Sequence, residues 1–372
     1  MYTNELKAIH KSNRYRKREI FDNNIIDLAS NDYLGLSTNK NLLEKSYDKI
    51  SNHKSNSSKA STIINGYTKI HQDFENELKK INQFEDCIIV SNGFTANISL
   101  IDTLVRKKDI IIIDEYYHAS GILATKLIKN SQVIYFKHND HKDLEKILIE
   151  LKYKNISRII IAIEGIYSMT GTIAKKEIFD LVEEYNTILI VDEAHSCGVL
   201  GDNLLGIFDY YKIIPNKKHI KMGTLGKAYA SFGAYILASY EIIDFLINKA
   251  KPIIYSTAPS LFDTQLGFES FKHINKTKNK LKIKINSHLK IINKYLKIDS
   301  KSLIVPITIN DNNKALQIQQ ELKSNNFLIG AIRTPTVNNA IIRVILRLEV
   351  SSKDLIKFCK TLNEILLKYN IK

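Results

Sequence analysis

Four short apolar runs constrain this chain more than any other feature. Residues 87–90 (C-I-I-V), 110–113 (I-I-I-I), 158–163 (R-I-I-I-A-I) and 188–191 (I-L-I-V) have strand length and almost no polar side chains. A strand with one wet face would alternate apolar and polar residues; these do not, so both of their faces must be covered. Shorter apolar runs at 133–136 and 233–238 read the same way. Between them lie stretches such as 144–151 and 178–185, where apolar residues recur at helical spacing. Strand and helix in alternation predict an α/β fold with a mostly parallel central sheet covered by helices. Such sheets bind ligands at the carboxyl ends of their strands.

After residue 260 the pattern changes. Two long helices are expected over about 261–295, followed by strands at 303–309, 328–332 and 341–348 and helices at 315–323 and 353–367. Strands and helices sorted in this way predict a small α+β domain. The expected division is an N-terminal helical segment (1–50, with a helix over 6–18), a large α/β domain (51–260), and linker helices with the small domain (261–372). Within the large domain a helix is expected over 66–81, and an extended stretch and turn over 253–259. With 372 residues the chain is long enough for a large core plus a satellite.

Composition excludes several classes. No apolar run approaches the roughly 20 residues needed to cross a bilayer, and residues 1–10 are mixed polar without the apolar centre of a signal peptide. Three widely spaced cysteines form no C-x-x-C pair and predict neither a metal site nor disulfides, so a reducing cytoplasm is expected. The formal charge of +15 raises the possibility of nucleic-acid binding. However, the densest lysine run, 272–297, carries Leu281, Ile285, Leu289, Ile292 and Leu296 at helical spacing. That is an amphipathic helix with a solvated face, and no nucleic-acid motif accompanies it.

The chemistry gathers at strand ends. Asp192 closes an apolar strand, His195 follows three residues later, and Lys227 sits in a turn after Thr224 and Gly226. A lysine in a glycine turn is by itself an ordinary loop residue. With a buried acid and a histidine it suits an enzyme that holds pyridoxal phosphate (PLP) as a Schiff base, the acid keeping the pyridine nitrogen protonated. The turn at Gly93 and Phe94 opens a helix and is a ready phosphate site. His118 and Ser168 also follow strands, so all of these residues are expected to share one crevice.

Seven segments together resemble the α-oxoamine synthase family of fold-type-I PLP-dependent enzymes: N-D-Y-L-G-L (31–36), N-G-F-T-A-N (92–97), H-A-S (118–120), E-G-I-Y-S-M-T-G (164–171), D-E-A-H-S-C-G-V-L-G (192–201), G-T-L-G-K-A (223–228) and Y-S-T-A-P (255–259). The resemblance covers the chain from about residue 31 onward. It implies that Lys227 binds PLP and then serves as base for the α-proton of an amino-acid substrate. Asp192 would pair with the pyridine nitrogen, His118 stack on the ring, and His195 and Ser168 lie near the ring hydroxyl. Gly93, Phe94 and Thr224 would hold the phosphate, and Thr257 would reach the phosphate of a neighbouring subunit in a homodimer. The segment 331–337, with Thr336, is similar to the branch of the family that joins L-alanine to a pimeloyl thioester carried by CoA or acyl-carrier protein. Branches that use glycine with acetyl-CoA or succinyl-CoA are the alternatives, and a non-catalytic basic nucleic-acid-binding protein is a remote one. Asn31 is expected on the substrate side, Arg343 or else Arg347 on the substrate carboxylate, and Arg14 or Arg16 near the acyl group. The chain departs from the family at two points. The usual glycine-rich loop before Gly66 reads S-S-K-A-S (57–61), and the usual glycine after the lysine is Ala230.

Overall fold

The computed structural model describes residues 1–12, 14–128 and 132–371. In chain order the strands are β1 (Ile26–Asp27), β2 (Asp86–Val90), β3 (Ile110–Asp114), β4 (Gln132–Phe136), β5 (Ile159–Glu164), β6 (Ile188–Asp192), β7 (His219–Thr224), β8 (Ala234–Ala238), β9 (Ile304–Thr308), β10 (Phe327–Leu328), β11 (Gly330–Ile332) and β12 (Ile341–Ile345). The helices are α1 (Thr3–Lys11), α2 (Lys40–Ser51), α3 (Lys69–Asn82), α4 (Gly93–Leu104), α5 (Ala119–Thr125), α6 (His141–Leu151), α7 (Lys176–Glu184), α8 (Ile207–Tyr211), α9 (Tyr240–Lys249), α10 (Lys251–Ile254), α11 (Leu261–Leu296), α12 (Asn312–Ser324) and α13 (Ser352–Lys368).

The chain packs as two units. One combines Leu34–Tyr167 with Thr172–Asn279, the other Met1–Tyr33 with Ser168–Gly171 and Lys280–Lys372. This division is discontinuous, unlike the consecutive segments cut after residues 50 and 260. Its physical cause is long-range backbone pairing. β1 pairs in parallel with β10, and the carbonyls of Leu28 and Tyr33 accept from the N–H groups of Ile345 and Leu348. Residues 26–33 are thus held by residues 326–348.

In the larger unit seven strands lie in the order β2-β8-β7-β6-β5-β3-β4. β8 runs against both of its neighbours, and every other paired strand is parallel. All of β3 is buried, and Ile111, Ile113, Ile160, Ile190 and Ile236 join Leu100 and Ile101 of α4 in one apolar cluster. Each such side chain contributes on the order of 1.5–3 kcal/mol, which makes this sheet a stiff platform. Asp192 and Thr224 are the last residues of adjacent strands, and Gly93 and His118 follow β2 and β3 closely. Four of the expected site residues therefore stand at the carboxyl end of the sheet.

The smaller unit contains the antiparallel sheet β11-β12-β9 and the β1-β10 pair. Its helices α12 and α13 complete an α+β arrangement, as expected.

Several local expectations are corrected. α1 ends at Lys11, leaving Arg14, Arg16, Lys17 and Arg18 exposed and outside any helix; it buries no residue that could extend it through a basic run. The helix expected from 66 starts at Lys69, capped by Thr68 and His71, because the extended backbone of Tyr67 and Thr68 separates it from a helical turn at Thr62–Gly66. Residues 251–254 form a helical turn with proline in its first turn, where no N–H is needed. The two linker helices are one helix of 36 residues, α11, with no proline to break it. Its Gly267 allows close packing: a Cβ there would lie 3.0 Å from the side chain of Leu225, two residues before Lys227. The strand expected over 328–332 is divided into β10 and β11. Among the described residues no helix is long and apolar enough to cross a membrane.

Candidate active site

In the larger unit the sequence-predicted cofactor residues converge on the ends of β6 and β7. Lys227 follows β7 in a tight turn, and its amine lies 2.7 Å from Nε2 of buried His195. Asp192 is buried at the end of β6; its Oδ1 accepts from the Ala194 N–H (2.9 Å) and its Oδ2 from the Asn97 amide (2.8 Å). His118 caps α5, its Nδ1 accepting from the Ser120 N–H at 3.2 Å. Burial pushes the His118 imidazole below its ordinary pKa; the charge of Asp192 opposes that shift and the charge of Lys227 adds to it. Asp192 and Lys227 therefore both act electrostatically on His118.

The phosphate side is as open as a ligand would require. Asn92 caps α4 by accepting from the Thr95 N–H, and the first-turn N–H groups of a helix have no intrahelical partner. A Cβ added to Gly93 would meet only the Met222 side chain, at 3.8 Å, so the protein's own packing does not demand glycine there. The free volume suits a bound group close to the backbone. Phe94 is exposed, as is Thr257. The Thr224 hydroxyl donates to the Gly233 carbonyl (3.1 Å) and accepts from the Gly226 N–H (3.2 Å), which shapes the lysine turn.

The remaining sequence-predicted residues belong to the smaller unit. Arg343 is buried on β12; its Nε donates to the Ser168 carbonyl (2.7 Å) and one terminal nitrogen to Asn31 Oδ1 (3.1 Å). Arg343, Ser168 and Asn31 thus form one group. Arg347, equally buried, is surrounded by Asp27 (2.9 Å), Asp32 (3.0 Å) and Glu349 (2.8 Å). Three carboxylates already occupy its donors. Of the two N-terminal arginines, Arg16 reaches the Thr336 hydroxyl at 3.4 Å, whereas Arg14 donates locally to Ser12.

Comparison with known proteins then decides the family. The class I and II aminotransferase family matches residues 23–362. The chain belongs to this family. It is similar over its whole length to an 8-amino-7-oxononanoate synthase of Helicobacter pylori strain J99, at 43% identity covering 100% of this chain and 98% of that protein. A putative 8-amino-7-oxononanoate synthase of Aquifex aeolicus is 35% identical over 98% of both chains. Among solved structures, an 8-amino-7-oxononanoate synthase of Francisella tularensis superposes with a TM-score of 0.78 at 28% identity, covering 94% of this chain and 100% of that one. A serine palmitoyltransferase of S. paucimobilis with a bound PLP–myriocin aldimine shares the fold, with a TM-score of 0.89 at 19% identity over 99% of this chain and 98% of that one. The cofactor of this aminotransferase-family chain is PLP, and the residues in place fit it: an amine, a buried carboxylate, a half-buried imidazole and an uncrowded helix start.

Two features of the site escaped sequence reasoning. Asn97, Tyr117 and Ser120 are buried and join Asp192 to His118 by hydrogen bonds. The signal was Asn97 itself, four residues after Gly93 and so on the same face of α4. The second is a buried ion pair next to Asp192. Glu193 is fully buried (0% exposed) and accepts from the Ile207 N–H and the Ser196 hydroxyl; Lys221 of β7 (1% exposed) stands 3.9 Å away and donates to Asn82 and the Leu205 carbonyl.

Proposed function

We propose that this chain condenses L-alanine with a pimeloyl thioester, releasing CO2 and the thiol carrier and forming 8-amino-7-oxononanoate, a step of biotin biosynthesis. The observation that carries the reading is the Lys227 amine beside His195, with Lys227 and Asp192 both acting on His118, in a chain alignable end to end with synthases of that name. When bound, PLP supplies the electron sink that makes the α-carbon of an amino acid acidic. Lys227 would hold the cofactor, and its amine is the base that would take the α-proton of alanine and later return it. Asp192 would accept a hydrogen bond from the protonated pyridine nitrogen, and His118 would pack against the ring. His195 and Ser168 would hold the ring hydroxyl. The N–H groups of Gly93 and Phe94, with Thr224, would bind the phosphate.

Arg343 is the proposed clamp for the amino-acid carboxylate, since a buried guanidinium binds carboxylates strongly. Asn31, Thr336 and an N-terminal arginine are assigned to the acyl substrate. The contact with Thr336 favours Arg16 over Arg14 for that role. The carrier is CoA or acyl-carrier protein, both anionic, and a net charge of +15 attracts either.

A second copy of this chain is the proposed partner. Ile64 (78% exposed) and Tyr255 (81%) are uncovered apolar side chains, and α10 packs on both α4 and the 62–66 turn. Thr257, exposed beside Tyr255, is assigned to the phosphate of that copy. The three cysteines are free and buried, which supports a reducing cytoplasm as the working compartment.

The reading is tested by proton exchange. L-Alanine incubated with the holoprotein in deuterated water should lose its α-hydrogen without any thioester, and Lys227→Ala should abolish this. Exchange that persists in Lys227→Ala would remove Lys227 as the base.

A further inference from the structure

The hydrogen bonds behind the cofactor residues run in one direction, and that direction has a chemical consequence. Asn97 (1% exposed), Ser120 (0%) and Tyr117 (3%) are interior. An ionised carboxylate only accepts, so the Asn97 nitrogen 2.8 Å from Asp192 Oδ2 must be the donor, and this fixes the orientation of the amide. The second hydrogen of the same nitrogen points at Ser120 Oγ, 2.9 Å away, while Asn97 Oδ1 accepts from the Tyr117 hydroxyl at 2.7 Å. Both amide hydrogens are engaged, as is its oxygen. Ser120 Oγ is therefore an acceptor toward Asn97. Its single hydrogen is left for its other partner, His118 Nδ1, at 2.7 Å. That nitrogen also receives the Ser120 backbone N–H at 3.2 Å. A ring nitrogen facing two donors carries no hydrogen of its own.

We infer that Asn97 is a positioning residue that orients the Asp192 carboxylate and, through Ser120, holds His118 as the neutral tautomer protonated on Nε2. The inference rests on the proposed roles of Asp192 and His118 at the cofactor. One amide thereby links the acid beneath the pyridine nitrogen to the ring that covers the cofactor. A protonated His118 would set its Nδ1–H against the Ser120 hydroxyl and N–H, a clash of donors in a low-dielectric interior. The direction in which burial moves the His118 pKa agrees with this arrangement. The network is thus a device that keeps a cationic imidazole away from the ring, where its positive charge would work against the protonated pyridine nitrogen that Asp192 favours.

The test is nitrogen NMR on 15N-histidine-labelled holoprotein at neutral pH, with the His118 signals assigned by their loss in His118→Gln. The expected spectrum shows Nε2 protonated and Nδ1 unprotonated. Ser120→Ala should shift the pair toward Nδ1–H. Asn97→Ala should do the same and weaken PLP binding by about tenfold or more, the loss expected for a hydrogen bond to a charged group. Ser120→Ala removes one oxygen only, so it serves if Asn97→Ala does not fold. An Nδ1–H tautomer in the unaltered protein would overturn the inference. So would a Ser120→Ala spectrum identical to the parent's. The spectra need no turnover, so absence of the condensation would refute the proposed function while leaving the tautomer result to stand or fall by itself.

Discussion

Replacing Arg347 by alanine should unfold the smaller unit far more readily than replacing Arg343. Arg347 is buried with side chains of Asp27 and Asp32 that are themselves only 23% and 12% exposed. Burial alone would raise the Asp27 pKa, but the N–H groups of Ala29 and Ser30, the Ser30 side chain and the Arg347 charge hold it below the ordinary value. Removing the guanidinium strands two half-buried carboxylates and loosens the segment that pairs with β10 and β12. Breaking a buried pair in this way costs about 3–5 kcal/mol. With a urea dependence near 3 kcal/mol per M for a chain of this size, the unfolding midpoint should fall by about 1–1.7 M. Arg343→Ala loses bonds to a carbonyl and an amide, for a smaller shift, and should instead raise the KM for alanine by tenfold or more. Urea titrations followed by circular dichroism, paired with alanine saturation curves, separate the two. If Arg347→Ala kept its midpoint but lost alanine binding, Arg347 would be the clamp and the argument from its three carboxylates would be wrong.

Three other outcomes follow from single residues. Ala230 sits at φ +48°, where a side chain costs about 1–2 kcal/mol and glycine's extra flexibility takes back roughly half of that; Ala230→Gly should raise the melting temperature by about 1 °C, and a lower melting temperature than the parent's would refute the strain. Burial pushes the Glu75 carboxyl up from 4.5 to about 7. The folded chain then holds a proton that the unfolded chain releases, so this contribution is complete below pH 4.5 and is lost as pH rises through about 7, to a total of about 3 kcal/mol. Glu75→Gln should flatten that part of the stability–pH curve, and an unchanged curve would exclude Glu75 as its source. Lys221→Met leaves Glu193 buried without its cation and should cost about 3–5 kcal/mol, most of it restored by adding Glu193→Gln; a fully stable Lys221→Met would contradict the pair.

The sheet was readable because its strands are buried on both faces, a condition that leaves an apolar run with few alternatives. The site followed, since Gly93, His118, Asp192 and Lys227 stand where strands end. What was hidden depends on long-range contacts. Lys221 lies on a strand that a pattern reader would leave half wet, yet its amine is inside, engaged by Asn82 and Leu205 from distant segments. Arg343 and Arg347 share a strand face by spacing, and only the carboxylates of Asp27 and Asp32, more than 300 positions away, tell them apart. α11 looked like two helices because its apolar stripe gives way to a lysine-rich face, and nothing local says that the helix continues. The left-handed backbone at Lys59 (φ +65°) and Ala230 (φ +48°) falls within the two segments where glycine was expected from the resemblance, and neither side chain announces that conformation locally.

The most direct test of the central claim is the amino-acid dependence of CO2 release. Purified holoprotein is given pimeloyl-CoA, or pimeloyl-acyl-carrier protein, with L-alanine or glycine, and Lys227→Ala serves as the control. The account predicts CO2 and 8-amino-7-oxononanoate with alanine, little with glycine, and none from Lys227→Ala. Release with glycine alone, or release that survives loss of Lys227, would contradict it.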